Sequence, residues 1–210
     1  MMTPATDFRV YQRNQDGFAQ VLLAGKLPEH ATENMRVMSR VCREDDGQMV
    51  VAWTACEIKD GSWQVVLRVP QGGLYQMETS MGAPEADILW SERIQNICHV
   101  GVGELFMIAG QSNMAGYGRD TAYDPPQLGV HLYGNNGKWS IAMHPLNDSI
   151  DTIYPENREM ATGTSPGLAF AKAVQRALHV PVGLIQASLG GSPLSRWDLQ
   201  DNGDLARAAA

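Results

Sequence analysis

Long apolar runs are missing from this 210-residue chain. None approaches the roughly 20 residues that cross a bilayer, so no membrane helix is expected. Residues 1–10 carry neither the basic start nor the apolar stretch of a secretory leader. Cysteine is scarce: Cys42, Cys56 and Cys98 are three, far apart, with no Cys-x-x-Cys spacing. A metal site is therefore not expected, and buried free thiols are the default. A Cys42–Cys56 bridge requires the two to lie on neighbouring strands. Positive charge is also short, with 16 Lys and Arg against 23 Asp and Glu and a net charge of −7. That balance argues against nucleic acid and anionic membrane as partners, because both need clustered cations. No Gly-Lys-Ser/Thr is present, which removes a phosphate-binding loop.

What is present is enough apolar residue, 44%, for one large domain or two small ones. Residues 7–103 read as β. Short alternating runs at 8–12, 19–25, 35–41, 50–55, 63–69, 74–79 and 94–100 are separated by turns such as Asn14–Gly17, Asp60-Gly61 and Gly72-Gly73. Regular short strands without a helical pattern predict a β-sandwich over residues 1–102. Its aromatics Trp53, Trp63 and Tyr75 either fill the core or present a carbohydrate-binding surface; alternating strands favour the core.

From residue 103 the pattern changes. Residues 105–109, Leu-Phe-Met-Ile-Ala, form an apolar strand that breaks at Gly110 and presents Gln111-Ser112-Asn113. A buried strand ending in a glycine and a polar turn is one way an enzyme displays a nucleophile. Gly110 permits the sharp turn. Ser112 is the candidate nucleophile, and its alternative role is to cap a short helix. The elbow pattern Gly-x-Ser-x-Gly is half met, because position 114 is Met.

Downstream, residues 130–133 and 138–142 read as a hairpin around the turn at 134–137, followed by a long loop at 147–164. Ser165-Pro166-Gly167 opens a helix with Leu168, Ala171, Val174 and Leu178 at helical spacing, which ends at His179 and Pro181. Residues 182–187 are a buried strand that runs into Ser188-Leu189-Gly190-Gly191-Ser192. Strand, helix, strand implies a parallel sheet, with both polar blocks at its C-terminal edge.

The segment around Gly110-Gln111-Ser112-Asn113, with Gln186-Ala187-Ser188-Leu189-Gly190-Gly191-Ser192 and then Trp197, resembles the first and second conserved blocks of the SGNH/GDSL hydrolases, in the branch of sialate O-acetylesterases and related carbohydrate acetylesterases. The resemblance implies a serine esterase acting on an O-acetylated sugar, with no metal or organic cofactor. Ser112 would be the nucleophile. Backbone N–H groups of Ser112 and of Gly190 or Gly191 would hold the oxyanion, and Gly110, Gln111, Asn113 and Ser192 would support the turns. The implied fold is a β-sandwich followed by an incomplete α/β, flavodoxin-like hydrolase domain at 103–210.

The family's base comes from an Asp-x-x-His pair, and this sequence has none. Of the five histidines, His144, near Asp148 and Asp151, is the nearest substitute. Asp148, Asp151 and Glu156 lack the spacing of a calcium loop. The expectation is therefore of a partial catalytic domain whose own base is absent, or a chain acting at most through its sandwich as a binding or interaction module.

Overall fold

A computed structural model describes residues 2–32, 34–83, 87–88, 91–119, 123–155, 163–198, 200 and 203–205. Glu156 and the middle of the 147–164 loop lie outside them, as do residues 206–210 of the stretch 205–210 whose sequence reads as the start of a helix. The chain forms two compact units, Met1–Glu104 and Leu105–Ala210.

The first unit is built from alternating strands. β1 (Val10–Gln12), β2 (Phe18–Lys26), β3 (Arg36–Arg43), β4 (Met49–Ala55), β5 (Glu57–Lys59), β6 (Ser62–Pro70), β7 (Gly72–Gly82) and most of β8 (Glu92–Ile108) follow in order. One sheet runs β8-β7-β3-β4, with β1 parallel to β8 at residues 101–103; the other runs β2-β6-β5. Period-2 burial is clearest in β6, where Trp63, Leu67 and Val69 are buried and Ser62, Gln64, Val66 and Arg68 are exposed. Inward residues of both sheets, among them Val21, Leu23, Val37, Val41, Trp63, Leu67, Tyr75, Met77 and Val100, form one apolar core. Trp63 and Tyr75 thus belong to the core. Trp53 is half-buried under the Arg40 guanidinium, 4.8 Å from its ring centre.

Two sequence expectations change here. β5 is not read from the sequence, because three exposed residues carry no apolar pattern. β8 runs unbroken through residues 101–105, where the glycines suggest a break. The three cysteines are free. Cys56 N–H donates to Val37 O, five residues along β3 from Cys42, or about 16 Å of strand, too far to bridge.

The second unit corrects the flavodoxin-like α/β expectation. Of the described residues 44% are strand and 11% helix, and among those of this unit there is one α-helix, α1 (Gly167–Leu178). The sheet runs β10 (Trp139–Ile141), β9 (Val130–Tyr133), β11 (Val182–Gln186) and the end of β8. β9 and β11 are parallel, but β10 is antiparallel to β9. The physical reason lies between Ser112 and Ser165. That stretch is rich in Pro, Gly, Asn and Asp, which favour turns over helices, and it supplies a hairpin where a second crossover helix would stand. Leu168 and Ala171 of α1 are fully buried against Ile108, Val130, Val182 and Leu184, while Phe170 and Leu178 stay exposed at 46% and 44%. Gly167 N–H reaches Ser165 Oγ at 3.4 Å, and His179 closes the helix in the left-handed region at φ 55°.

Two predictions follow from the first unit. Tyr11 is 9% exposed and its buried hydroxyl meets no partner among the described residues. Burial pushes this phenol up to about 12, against the opposing pull of Arg9. An unpaired buried hydroxyl costs about 1–3 kcal/mol, so Tyr11→Phe should leave urea stability unchanged or raise it by about 1 kcal/mol. A loss above that size would mean the hydroxyl is paired. Glu104 accepts from Gln12 Nε2 and Arg13 Nε, both at 2.7 Å. These bonds, first that from Gln12, hold its carboxyl below its ordinary 4.5. Their stabilisation is complete above that value and fades as pH falls through the lowered folded-state value. Glu104→Gln should therefore narrow the stability difference from wild type as acid denaturation is followed below pH 4.5. A constant offset across the titration would refute the assignment.

Candidate active site

The polar block after β8 is a turn, where a short helix capped by Ser112 or Asn113 is one sequence expectation. Gly110 stands at φ +134°, a region that side-chain-bearing residues rarely adopt. Ala115 N–H donates to Gln111 O at 2.8 Å, and Tyr117 N–H donates to Ser112 O at 3.0 Å. The second bond spans five residues, so the single turn widens and unwinds. Gly118 then exchanges backbone bonds with Thr164, at 3.1 and 3.2 Å. A Cβ on Gly118 would lie 2.8 Å from Thr164 O, so glycine is required for this approach. Ser112 is half-buried, with Gln111 and Asn113 exposed on either side.

The second block follows β11. Ala187 N–H donates to Ile108 O at 3.1 Å and Leu189 N–H to Gly110 O at 3.0 Å. The two bonds advance in step along both chains, which is the pattern of parallel strands. They bring the glycine block directly against the Ser112 turn. Gly191 turns at φ +73°. Ser192 locks this turn: its hydroxyl donates to Leu189 O at 2.7 Å and accepts from Trp197 Nε1 at 2.9 Å. Beneath it Gln186 Nε2 donates to the buried Ser188 Oγ at 2.9 Å. The Gln186–Ser188 pair is not singled out by the sequence; two polar residues at i and i+2 in a buried strand end were the available signal. Further on, Arg196 pairs with Asp204, Nε to Oδ1 at 2.9 Å, and holds that carboxyl down at about 2.

The backbone N–H groups of Ser112, Gly190 and Gly191 donate to no described residue. Free N–H groups next to a serine hydroxyl are what a developing oxyanion needs. Beside the turn, an apolar cavity of about 320 Å³ is lined by Phe106, Ile108, Met114, Gly167, Phe170 and Leu184. Phe106 meets Phe170 edge-on, centres 5.0 Å apart.

His144 hydrogen-bonds no atom of Ser112 among the described residues. β10 runs antiparallel to β9, and Ala142 N–H donates to Val130 O. The chain therefore leaves the sheet at the N-terminal edge of β9, two residues before His144. Ser112 and Gly190 sit beyond the C-terminal ends of β8 and β11, the opposite edge. His144 Nε2 lies 3.6 Å from Asp124 Oδ2, and Asp124 also pairs with the buried Lys172. These contacts tie the segment before β9 to α1. Asp148 is a turn residue, with its side chain on Ile150 N–H and its carbonyl on Asn135. Among the described residues no three His, Cys, Asp or Glu side chains gather in a metal-binding group, and no helix is long and apolar enough to cross a membrane.

The chain is 29% identical over 113 residues to a probable carbohydrate esterase of Arabidopsis thaliana, covering 45% of this chain and 41% of that protein. Among solved structures it resembles a carbohydrate acetylesterase from Xanthomonas citri, with 19% identity and a TM-score of 0.46 over 95% of this chain and 43% of that one. It also resembles an Arabidopsis thaliana protein, with 25% identity and a TM-score of 0.41 over 50% of this chain and 47% of that one. The chain thus spans less than half the length of each of these relatives. Residues 102–206, half of the chain and the stretch that contains both polar blocks, match the family described as carbohydrate esterase, sialic acid-specific acetylesterase, and the chain belongs to that family.

Proposed function

We propose that the whole protein is a serine esterase that removes O-acetyl groups from sialic acid or other acetylated carbohydrates, with Ser112 as its nucleophile. The observation that carries this reading is the Leu189 N–H to Gly110 O bond. It supports the reading because it brings the backbone of the Ser112 turn and of the Gly190-Gly191 block to one edge of the sheet. In the proposed reaction Ser112 Oγ attacks the acetyl carbonyl carbon and its proton passes to a base. The carbonyl oxygen becomes an oxyanion and accepts from the N–H groups of Ser112 and of Gly190 or Gly191. Collapse breaks the bond to the sugar oxygen, which takes the proton. Water then attacks the acetyl-serine and releases acetate. Gly110, Gln111, Asn113 and Ser192 act by shaping the two turns. Acyl transfer through a serine needs a nucleophile, a base and oxyanion donors, so the reading invokes no metal, organic cofactor or nucleic acid.

A second reading concerns the 210 residues alone. No described histidine hydrogen-bonds Ser112, and the sequence has no Asp-x-x-His. Without a base the chain acylates slowly, and its independent role is at most that of a β-sandwich binding or interaction module.

Acetyl transfer from 4-nitrophenyl acetate in mildly alkaline buffer tests both. We expect one acetyl group on the peptide carrying Ser112, absent from Ser112→Ala, and no multiple turnover. Oxyanion donors without a complete triad give at most about 10³–10⁴-fold over water. Labelling that survives Ser112→Ala would refute the nucleophile. Multiple turnover abolished by Ser112→Ala would refute the missing base, and a His144→Ala variant would then be next.

A further inference from the structure

An acetyl group would leave the apolar cavity beside the Ser112 turn almost unused. The cavity measures about 320 Å³, within the size range of small-molecule sites. A methyl group is about the size of a water molecule, whose share of liquid volume is about 30 Å³. No described residue that lines the cavity has a polar side chain; the walls include Phe106 and Ile108 of β8, Leu184 of β11, Gly167 and Phe170 of α1, and Met114. A sugar brought here would lose water from its hydroxyls and find no side-chain partner for them. The walls suit an alkyl chain.

The cavity lies at the same sheet edge as the candidate nucleophile. Ile108 precedes Gly110 by two residues and packs with Leu184 under α1. The helix starts at this edge: a Cβ on Gly167 would come within 3.2 Å of Ile108 Cδ1. Met114 belongs to the Ser112 turn itself. A Cβ on Gly110 would meet its Cγ at 3.2 Å, and Met114 is also one wall of the cavity. Methionine is unbranched and adaptable, so this wall adjusts to chains of different length. Phe170, 46% exposed, and Phe106, edge-on to it at 5.0 Å, leave apolar surface open at the rim, as ligand-binding grooves do.

We propose that this cavity is the acyl pocket of the Ser112 site, and that it favours esters of longer straight-chain acyl groups, such as butyryl and hexanoyl, over acetyl. The proposal rests on the reading of Ser112 as nucleophile. In the test reaction Ser112 Oγ bonds to the acyl carbon, 4-nitrophenolate leaves and the serine proton passes to buffer. The 210-residue chain is treated with 4-nitrophenyl acetate, butyrate and hexanoate, and each rate of Ser112 labelling is divided by the rate of the same ester with hydroxide. Burying one methylene is worth about fourfold, so butyrate should label about tenfold faster than acetate on this scale. In Phe170→Ala that preference should fall toward unity. Phe170 is half-exposed, so the variant should fold. A second readout needs no reaction. 2-Octanone, a carbonyl with an alkyl chain and no leaving group, is titrated into chain labelled with ¹³C at the methionine methyls. The Met114 resonance is assigned by its loss in Met114→Leu. We expect a saturable shift of that resonance, in Ser112→Ala as in wild type. If acetate labels Ser112 and the longer esters label it no faster, or if the ketone leaves Met114 unmoved, the acyl pocket is refuted on its own. A Met114 shift that follows protein concentration instead of ketone also refutes it and makes the cavity a contact between copies of the chain. If no ester labels Ser112, the nucleophile is refuted and the acyl assignment falls with it, whatever the ketone does.

Discussion

Two peptide hydrogen bonds, Ala187 N–H to Ile108 O and Leu189 N–H to Gly110 O, are what the arrangement of the second unit's two polar blocks depends on. They fix where two parallel strands stop pairing. Past them both chains turn away, and the next N–H groups have no ladder partner. A buried N–H without a partner costs about 1–3 kcal/mol, but Ser112 and Gly190 are only half-buried and Gly191 is exposed, so water can serve them. The donors are thus held in place by strand register and not by side-chain rotamers. Such donors need little reorganisation when negative charge develops. The same argument explains why Ser192 and Trp197 bond one another over Leu189: they stiffen the turn that carries the donors.

Much of this was legible in the residues. Alternation at 19–25 and 63–69 was enough to find β2 and β6, because one face of each is buried and the other wet. The helical spacing of Leu168, Ala171 and Val174 located α1. The two polar blocks were legible as turns because glycine and serine follow apolar strands in both. The flavodoxin-like expectation failed because strand-helix-strand was extended to a whole domain from one helix. The hairpin β9–β10 and the turn-rich segment around it occupy the sequence where a second helix would be needed. β8 was misread for a different reason. Gly101 and Gly103 look like breakers, yet they pair with Val10 and Gln12 of β1, and tertiary pairing overrides local propensity. The place of His144 was not legible at all. Proximity in sequence to Asp148 suggested one partner, and strand direction gave it another, Asp124.

The sandwich core carries a polar seam that hydrophobic patterning does not anticipate. Ser39 and Thr79 face each other across β3 and β7, hydroxyls 2.8 Å apart, with Cys56 Sγ 3.2 Å from Ser39. All three are satisfied within the seam, so the desolvation cost of burying them is offset. Cys56 sits where the chain crosses from β4 in one sheet to β5 in the other. Burial, opposed by the bond to Ser39, pushes its thiol up, so it stays protonated and unreactive. Glu78 solves the analogous problem on the outer face. It is 5% exposed and bridges Arg40 at 2.6 Å and Arg93 at 3.2 Å, one carboxylate between two guanidiniums. Removing Glu78 would leave two like charges adjacent, whereas removing one arginine would leave the carboxylate paired.

The departure from the nucleophile elbow at Met114 has a geometric answer. In Gly-x-Ser-x-Gly the second glycine admits close packing two residues after the serine. Here the turn is longer, because Tyr117 N–H reaches back five residues to Ser112 O. The conformational demand therefore moves to residue 116, and Gly116 takes it at φ +84°. Position 114 is released from it. Met114 instead packs over Gly110, where a Cβ would meet its Cγ at 3.2 Å, and lines the apolar cavity beside the turn. A flexible thioether suits a space of irregular shape. Gly110 and Gly116 thus bracket the serine with two residues more between them than in the elbow, and the Gly-x-Ser-x-Gly pattern itself stays half met.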